Sequence, residues 1–438
     1  MYKIKKGLDL PISGVPSTEI ENSSKISSVA ILGSDYIGLK PTMMVKLGDD
    51  VKTGQKVIED KKNPGIFITS PTCGVISAIN RGEKRRFISL EIDCSNEKQP
   101  INFDTPTTKN ETISLLKESG IWSTFKTRPF NRTPKVDTIP DAIFINACDT
   151  NPLAMDPYNI IKVDQELFNL GLLTLSETFN IPIHCSYQND GFDQAIESIN
   201  YHKFSGPHPA GLTSTHIHYI YPVGKDRLVW SIDYQDCISL GYLIRNNKIR
   251  SSKTIALCGE NVREPKLIRT SIGANISSLT AGKIDDASRI ISGSVIHGHS
   301  AKSAMNFLGA FHNQISVIPN EYEEPFMSWI IPGTKIHSKL NVFLSAFFKP
   351  KKFTFNTAMN GSDRAIVPIG SYEEVMPMNI LVTQLLKALA TYDLEMLVDL
   401  GVLELVEEDL ALCSYVCPSK YDYSSLLAEN LEMIYNEM

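Results

Sequence analysis

Between Phe204 and Gly211 the chain reads FSGPHPAG, and no regular helix or strand carries that run. Proline removes a backbone donor and fixes φ, while glycine takes conformations closed to other residues. The run is therefore a shaped loop. It continues through His216 and His218 into an aromatic stretch that ends at Gln235. That apolar content argues against disorder, and a long ordered loop in a compact domain is usually functional.

The sequence before the loop predicts what it is attached to. AIFINA, after Pro140, is a short apolar run of buried-strand type. A helix is expected from about Asp164 to Phe179, with Leu167, Leu170 and Leu173–Thr174 inward. A strand over Ile181–Ser186, a helix over Phe192–Ile199 and a strand over Tyr201–Phe204 complete the pattern. Alternation of this kind builds a parallel, right-handed, Rossmann-like α/β unit. Ligands in such sheets sit beyond the carboxyl ends of the strands. The loops there are Asn146–Pro157 and the FSGPHPAG stretch.

The flanking sequence reads differently. Residues 1–40 look short and irregular. Closely spaced turn signals from Pro41 to Glu91 separate short apolar runs, as in a small β sandwich or barrel. The pattern there resembles a lipoyl-type hammerhead, with Lys61 near the position of the carrier lysine; an unmodified lysine is the simpler expectation. Asn110 is placed as the cap of a helix that stops at Gly120. From Thr254, short strands with one brief helix form a module of β-grasp size. From Ile380 the pattern is helical: Leu381, Leu385 and Leu389 recur, Asp393 caps a second helix, and a last helix buries Leu427, Leu431 and Ile434. The expected domains are a β barrel-sandwich at 1–100, the α/β domain at 101–253, the β-grasp domain at 254–330 and a mixed, then helical, region at 331–438.

Net charge is -6 and Lys84–Arg86 is the densest basic cluster, so nucleic acid is not an expected partner. No apolar run approaches the roughly 18–20 residues that span a bilayer. The N-terminus lacks the apolar segment of a signal peptide. The expectation is a cytoplasmic protein. Its eight cysteines are mostly isolated in apolar contexts, which fits a reducing compartment.

Motifs for self-contained chemistry are incomplete. His216 and His218, read as neighbours on one face of a strand, would need His208 or another ligand to hold zinc, and His297 and His299 repeat the same spacing. Cys413 and Cys417-Pro418 form only the closing half of a ferredoxin motif, so two packed thiols are expected rather than a cluster. Neither a dinucleotide fingerprint nor a P-loop is present. Ser205 and Ser214 lie near histidines without the setting of a hydrolase nucleophile.

The segments FSGPHPAGLTSTHIH at 204–218, VWSIDYQD at 229–236, FKTRPF at 125–130, INACDTNPLAMDP at 145–157, NGSDRAIVPIGSYEEVMPMNIL at 360–381 and EEDLALCSYVCPSKYDY at 407–423 resemble one family. It is the NqrA family, one of the component families of the sodium-translocating NADH:quinone reductases, and the resemblance spans the chain. It implies a peripheral subunit on the cytoplasmic face of a bacterial inner membrane, with five partner subunits, B to F. That complex uses NADH, flavins and iron–sulfur centres to reduce ubiquinone and export Na+. The resemblance gives this chain no flavin, iron–sulfur centre or metal of its own. Its α/β domain resembles the flavin-binding component of complex I, where Asn146, Ala147, Asp149 and Pro152 match one flavin-loop element. The glycine-rich element is replaced by IWSTFKTRPFNRTP at 121–134, so Trp122, Phe125 and Phe130 are expected to fill the flavin phosphate space. The β-grasp region resembles the soluble-ligand-binding (SLBB) module of the same relatives. Two roles follow: contributing to a ubiquinone site through His208, His216 and Asp149, or acting as a silent scaffold. A stand-alone hydrolase is a third class, which would show activity without partners.

Overall fold

The run Ala142–Ala147 is the centre of a six-stranded sheet. All its residues but Asn146 are buried, as a strand covered on both faces requires. Ile183–Tyr187 lies parallel on one side, with Asn200–Ser205 parallel beyond it. The chain then crosses back, and Val229–Asp233 lies parallel on the other side of the central strand. Lys126–Arg128 closes that edge, antiparallel. This last parallel strand, inside the VWSIDYQD segment, was not among the expected elements. It reverses the strand order beside Ala142–Ala147 and so creates a topological switch point, where ligand crevices open in such sheets.

The structure, a computed structural model, describes residues 1–23, 25–95, 99–320, 331–334, 336–339, 342–348, 352–359, 362 and 364–437. The boundary expected at residue 330 lies outside them. Several local expectations need correction. Helix Gln165–Phe179 forms and buries Thr174 as expected, but its other inward residues are Phe168, Leu172 and Leu175, while Leu173 is exposed. The cause is a close crossing with helix Tyr234–Asn246. A Cβ on Gly171 would meet the Cys237 carbonyl at 2.2 Å, and one on Gly241 would meet the Leu167 carbonyl at 1.9 Å. Two backbones in contact set which face turns inward. Phe192–Ile199 is not helical; its two end residues are buried anchors and Phe192 stacks on Tyr187. Thr108, not Asn110, caps helix Lys109–Glu118, in a reciprocal bond pair with Glu111. Leu381 is exposed, although Leu385 and Leu389 are fully buried.

The N-terminal stretch is not irregular filler. Tyr2–Lys3 adds a parallel edge strand to the α/β sheet, against Asn200–Ser205. Ile20–Asn22 adds a parallel edge strand to the β-grasp sheet, against Lys266–Ser271. The barrel-sandwich follows. Ser28–Leu32, Phe87–Cys94, Gly74–Arg81 and Asp50–Val51 make one of its sheets; Pro41–Met43, Lys56–Asp60 and Phe67–Thr69 make the other. Its core residues Val29, Val51 and Leu90 are continuous with Ile255, Leu257 and Val317 of the β-grasp part, so the two share one interior. Lys61 is exposed on the turn between strands, with its amide bonded to the Lys40 carbonyl. A separate apolar core holds the C-terminal helices, including Leu385, Leu427 and Ile434.

The FSGPHPAG loop is clamped by the N-terminal stretch. Ile4 N–H donates to the Ser205 carbonyl at 2.8 Å, and Leu8 N–H to the His208 carbonyl at 2.8 Å. Gly206 (φ +139°) lies so close that a Cβ would meet the Ile4 carbonyl at 2.2 Å. We expect Gly206→Ala to detach this edge. Hydrogen exchange should show the Ile4 and Leu8 amides losing protection, while amides of Ala142–Ala147 keep theirs. Unchanged protection at Ile4 would contradict the clamp.

Candidate functional site

A cavity of about 430 Å³ opens beyond the carboxyl ends of Ala142–Ala147 and Val229–Asp233. The sheet, the turns that leave it and the first turn of helix Tyr234–Asn246 supply Asn146, Asp149, Asp233 and Asp236. The opposite walls come from other parts of the chain: Asp35 of the barrel-sandwich, His297 and His312 of the β-grasp part, and Glu407 and Glu408 of the helical region. The switch-point crevice is thus a junction of all four parts.

Two cations reach into it. Lys126 and Arg128 stand two apart on one strand, so both point to the same face. Lys126 Nζ donates to the Asp35 carbonyl at 3.0 Å and sits 3.8 Å from the centre of the Phe311 ring. Burial pushes its pKa down to about 8, against the pull of Asp35 and Asp236. Arg128 is 3% exposed, and its Nη1 donates to Asn131 Oδ1 at 2.6 Å. Its buried Nε has no partner among the described residues. The hydrogen-bond partners of both cations are neutral oxygens, and aromatic rings flank Lys126.

The acids are held by donors but poorly solvated. Asp149 Oδ1 accepts from Asn151 N at 2.9 Å and from Asn151 Nδ2 at 3.0 Å. Burial nevertheless raises its pKa to about 6. Asp35 is raised to about 6 for the same reason, although it accepts from Ala310 N at 2.8 Å. Asp233 accepts from Gln235 N at 2.8 Å and Asn313 Nδ2 at 3.0 Å. Asp236 differs: its Oδ2 is buried without a partner, and burial with the neighbouring Asp233 lifts its pKa far above the carboxylate range, while Lys253 and Lys126 pull it down.

The sequence-derived candidates separate in space. Asp149 lines the crevice. His208 and His216 line neither this cavity nor the next. The pair His216 and His218 lies on helix Thr213–Ile220, not on a strand, because the prolines and glycines before it turn the chain and leave Leu212 as the first cap. Residues two apart on a helix diverge. His216 is buried, bonds the Ala210 carbonyl at 2.9 Å and packs on Phe204, with its pKa pushed to about 3 by burial. His218 instead bonds Glu404 Oε2 at 2.7 Å and accepts from Asn379 N at 3.0 Å. His208 is 1% exposed, 3.3 Å from Thr150 Oγ1, and burial pushes its pKa to about 4. No group of three histidine, cysteine or acidic side chains suited to a metal occurs among the described residues.

Trp122 and Phe125 do not fill the crevice. They pack with Phe179 and Trp230 in the hydrophobic core, ring centres 5.2–6.4 Å apart, because the apolar residues of the segment turn inward and leave Lys126 and Arg128 to face the cavity. Phe130 packs on Tyr435. Cys413 and Cys417 are buried in the helical core, where Tyr372 O–H donates to Cys417 Sγ at 3.1 Å. His299 bonds the Met305 and Phe307 carbonyls, while His297 reaches the crevice. Ser205 lines a second cavity, whereas Ser214 is buried beside Asp409. That cavity, about 430 Å³, lies between Cys148–Asp156 and the Phe204–Gly211 loop, with Gln188–Asp190 as its third wall.

Sequence reasoning did not single out Asp35, Lys126, Arg128, Asp233, Asp236, His312, Glu407 or Glu408. The signal available was the alternation in Lys126-Thr127-Arg128, which puts two cations on one face of any strand.

Fold and crevice define a doubly wound α/β protein, built into three other parts of its chain and lacking a glycine-rich loop at 121–134. Family profiles match residues 2–95 as the NqrA N-terminal barrel-sandwich hybrid domain, 107–249 as the NqrA second alpha/beta domain, and 254–303 as the NQRA C-terminal domain. The A component of the Na(+)-translocating NADH-quinone reductase of Neisseria meningitidis serogroup C is 47% identical over 100% of both chains. Its counterpart in Pseudomonas aeruginosa is 45% identical, again over 100% of both. The chain belongs to the NqrA family. A chain of an NAD+-reducing NiFe hydrogenase aligns at 10% identity over 49% of this chain and 47% of its own, with a TM-score of 0.35, too loose to argue from.

Asp236 yields a pH test. Its raised pKa means that the fold favours the protonated acid. That contribution is complete below the unfolded value and is lost as pH rises through the folded one. Asp236→Asn keeps the group neutral throughout. We expect the melting temperature of the variant, relative to the parent, to be least different near pH 4, to rise with pH and to level off above the raised pKa. A gap that is flat with pH would contradict an uncompensated carboxylate.

Proposed function

We propose that this chain is the peripheral, redox-silent subunit of a Na+-translocating NADH:ubiquinone reductase, on the cytoplasmic face of the membrane, where it holds the membrane-bound partners in place. The complex oxidises NADH, reduces ubiquinone and exports Na+, and this chain contributes shape and contact surface alongside subunits B to F. The observation that carries the reading is the lining of the switch-point crevice. A flavin needs a flat apolar slot for its rings and a glycine-rich cradle for its phosphate. Here the segment 121–134 has no glycine, and the walls are Asp35, Asp149, Asp233, Asp236 and Glu408, with Phe311 already engaged by Lys126. A quinone ring would meet Ile37, Leu212, Ile232 and Val406, but between them the wall is broken by these carboxylates. The missing cradle and the acids together fit a flavin poorly. No helix among the described residues is long and apolar enough to cross a membrane, which agrees with attachment through partners.

A second reading keeps ubiquinone on this chain. The cavity between Cys148–Asp156 and Phe204–Gly211 favours it, since it lies where the sequence places the site. In that reading His208 or His216 contacts the quinone carbonyls after a shift that exposes them, and Asp149, which lines the first cavity, would have to turn toward the second.

Ubiquinone titration of the assembled complex separates the two. With His208→Ala, and separately Asp149→Asn, the redox-silent reading expects an apparent ubiquinone affinity within about twofold of the parent, with any loss appearing as less assembled complex. A rise of about tenfold or more in the ubiquinone requirement, with assembly intact, supports the second reading. A loss of one charge-assisted hydrogen bond is of that size.

A further inference from the structure

We propose that the switch-point crevice binds a small phosphate monoester of a polyhydroxylated molecule, such as a sugar phosphate, with the phosphate between Lys126, Arg128 and the amino end of helix Thr213–Ile220. Nothing in the redox-silent reading requires this; it adds to the same lining the two cations and a helix end.

The first is a buried cation whose direct partners are all neutral. Arg128 is 3% exposed and lines the crevice, yet its polar partners are Asn131 Oδ1 and the Thr127 carbonyl, and its Nε has none. Asp409, Glu408 and Glu407 act on it through space rather than as bonded partners. Lys126, on the same face, bonds a carbonyl. A buried guanidinium without a bonded carboxylate is costly, and an oxyanion taken from solvent would relieve both groups. Arginine offers the fork that phosphate oxygens fit.

The second is the amino end of an eight-residue helix, which meets the same cavity through Gly211, Leu212 and Thr213. Its cap position is Leu212, whose side chain accepts nothing. The amides of the first turn lack a side-chain acceptor from the cap, and such an end favours negative charge.

The third is on the facing wall. Asp236 has a buried carboxylate oxygen without a donor. Asp149 and Asp233 also line the cavity, already partnered by Asn151 and by Gln235 and Asn313. A carboxylate is an acceptor, and hydroxyl groups are donors it can take. An inorganic anion alone would meet these carboxylates with like charge. A ligand carrying hydroxyls opposite its phosphate matches cations on one wall and carboxylates on the other. Glu407 and Glu408 add negative charge to the lining and select against larger polyanions. The volume, about 430 Å³, is in the range of small-molecule sites.

Calorimetric titration of the full chain with ribose 5-phosphate, ribose and inorganic phosphate tests this. We expect saturable binding of ribose 5-phosphate, at least about tenfold weaker binding of inorganic phosphate and none of ribose. Arg128→Gln should weaken ribose 5-phosphate about tenfold or more. Asp236→Asn should weaken ribose 5-phosphate while leaving inorganic phosphate as tight or tighter. Circular dichroism establishes that each variant is folded; if Arg128→Gln is not, Lys126→Gln takes its place. Absence of saturable binding by the parent overturns the proposal, as does equal binding of phosphate and ribose 5-phosphate, or unchanged affinity in the folded cation variant. None of these results depends on ubiquinone affinity in the assembled complex.

Discussion

One ammonium group ties together three parts of this molecule. Lys126 extends from the edge of the α/β sheet, donates to the Asp35 carbonyl in the barrel-sandwich and lies against the Phe311 ring of the β-grasp part. A cation over an aromatic face is worth up to about 2 kcal/mol when desolvated. Its depressed pKa, about 8, records what burial costs it. The crevice around it is therefore not a spare cavity in one domain. It exists because four stretches of chain meet there and leave their charged residues inside.

Other contacts hold that meeting in place. The N-terminal stretch adds an edge strand to each of two sheets, so one short segment is paired into both the α/β and the β-grasp parts. The shared apolar interior of barrel and β-grasp makes the same connection through burial. Behind the crevice, Trp122, Phe125, Phe179 and Trp230 form an aromatic block, with Trp122 and Trp230 edge to face at 5.2 Å. Such pairs add about 0.5–1.5 kcal/mol beyond their area. This rigid backing allows Lys126 and Arg128 to be presented to a poorly solvated space.

Much of the architecture was legible in local patterns. AIFINA reads as a buried strand because little else explains six such residues after a proline, and the structure places it at the sheet centre. The parallel order of the next two strands follows from the helix between the first pair. What was not legible depended on contacts distant in sequence. The inward face of Gln165–Phe179 is set by Gly171 against Cys237, and no periodicity within the helix contains that information. His216 and His218 look alike as a strand pair; their divergence follows from a helix that the preceding loop starts. Among the site residues, Asp149 was found because it sits in a recognisable segment. Asp35, His312 and Glu408 could not be grouped with it, since only the folded chain brings together positions from its first fifty residues and its last fifty.

Family membership accounts for the chain as one subunit of a larger machine, and the proposal that it carries none of the machine's redox groups rests on the crevice. Carboxylates line the place where doubly wound folds receive a ligand, and Trp122 and Phe125 form the wall behind that place rather than a plug within it. The most direct measurement is the visible absorption spectrum of the full-length chain after purification under native conditions and gel filtration. The account expects a colourless protein. A flavin band that travels with the protein peak in stoichiometric amount would contradict it.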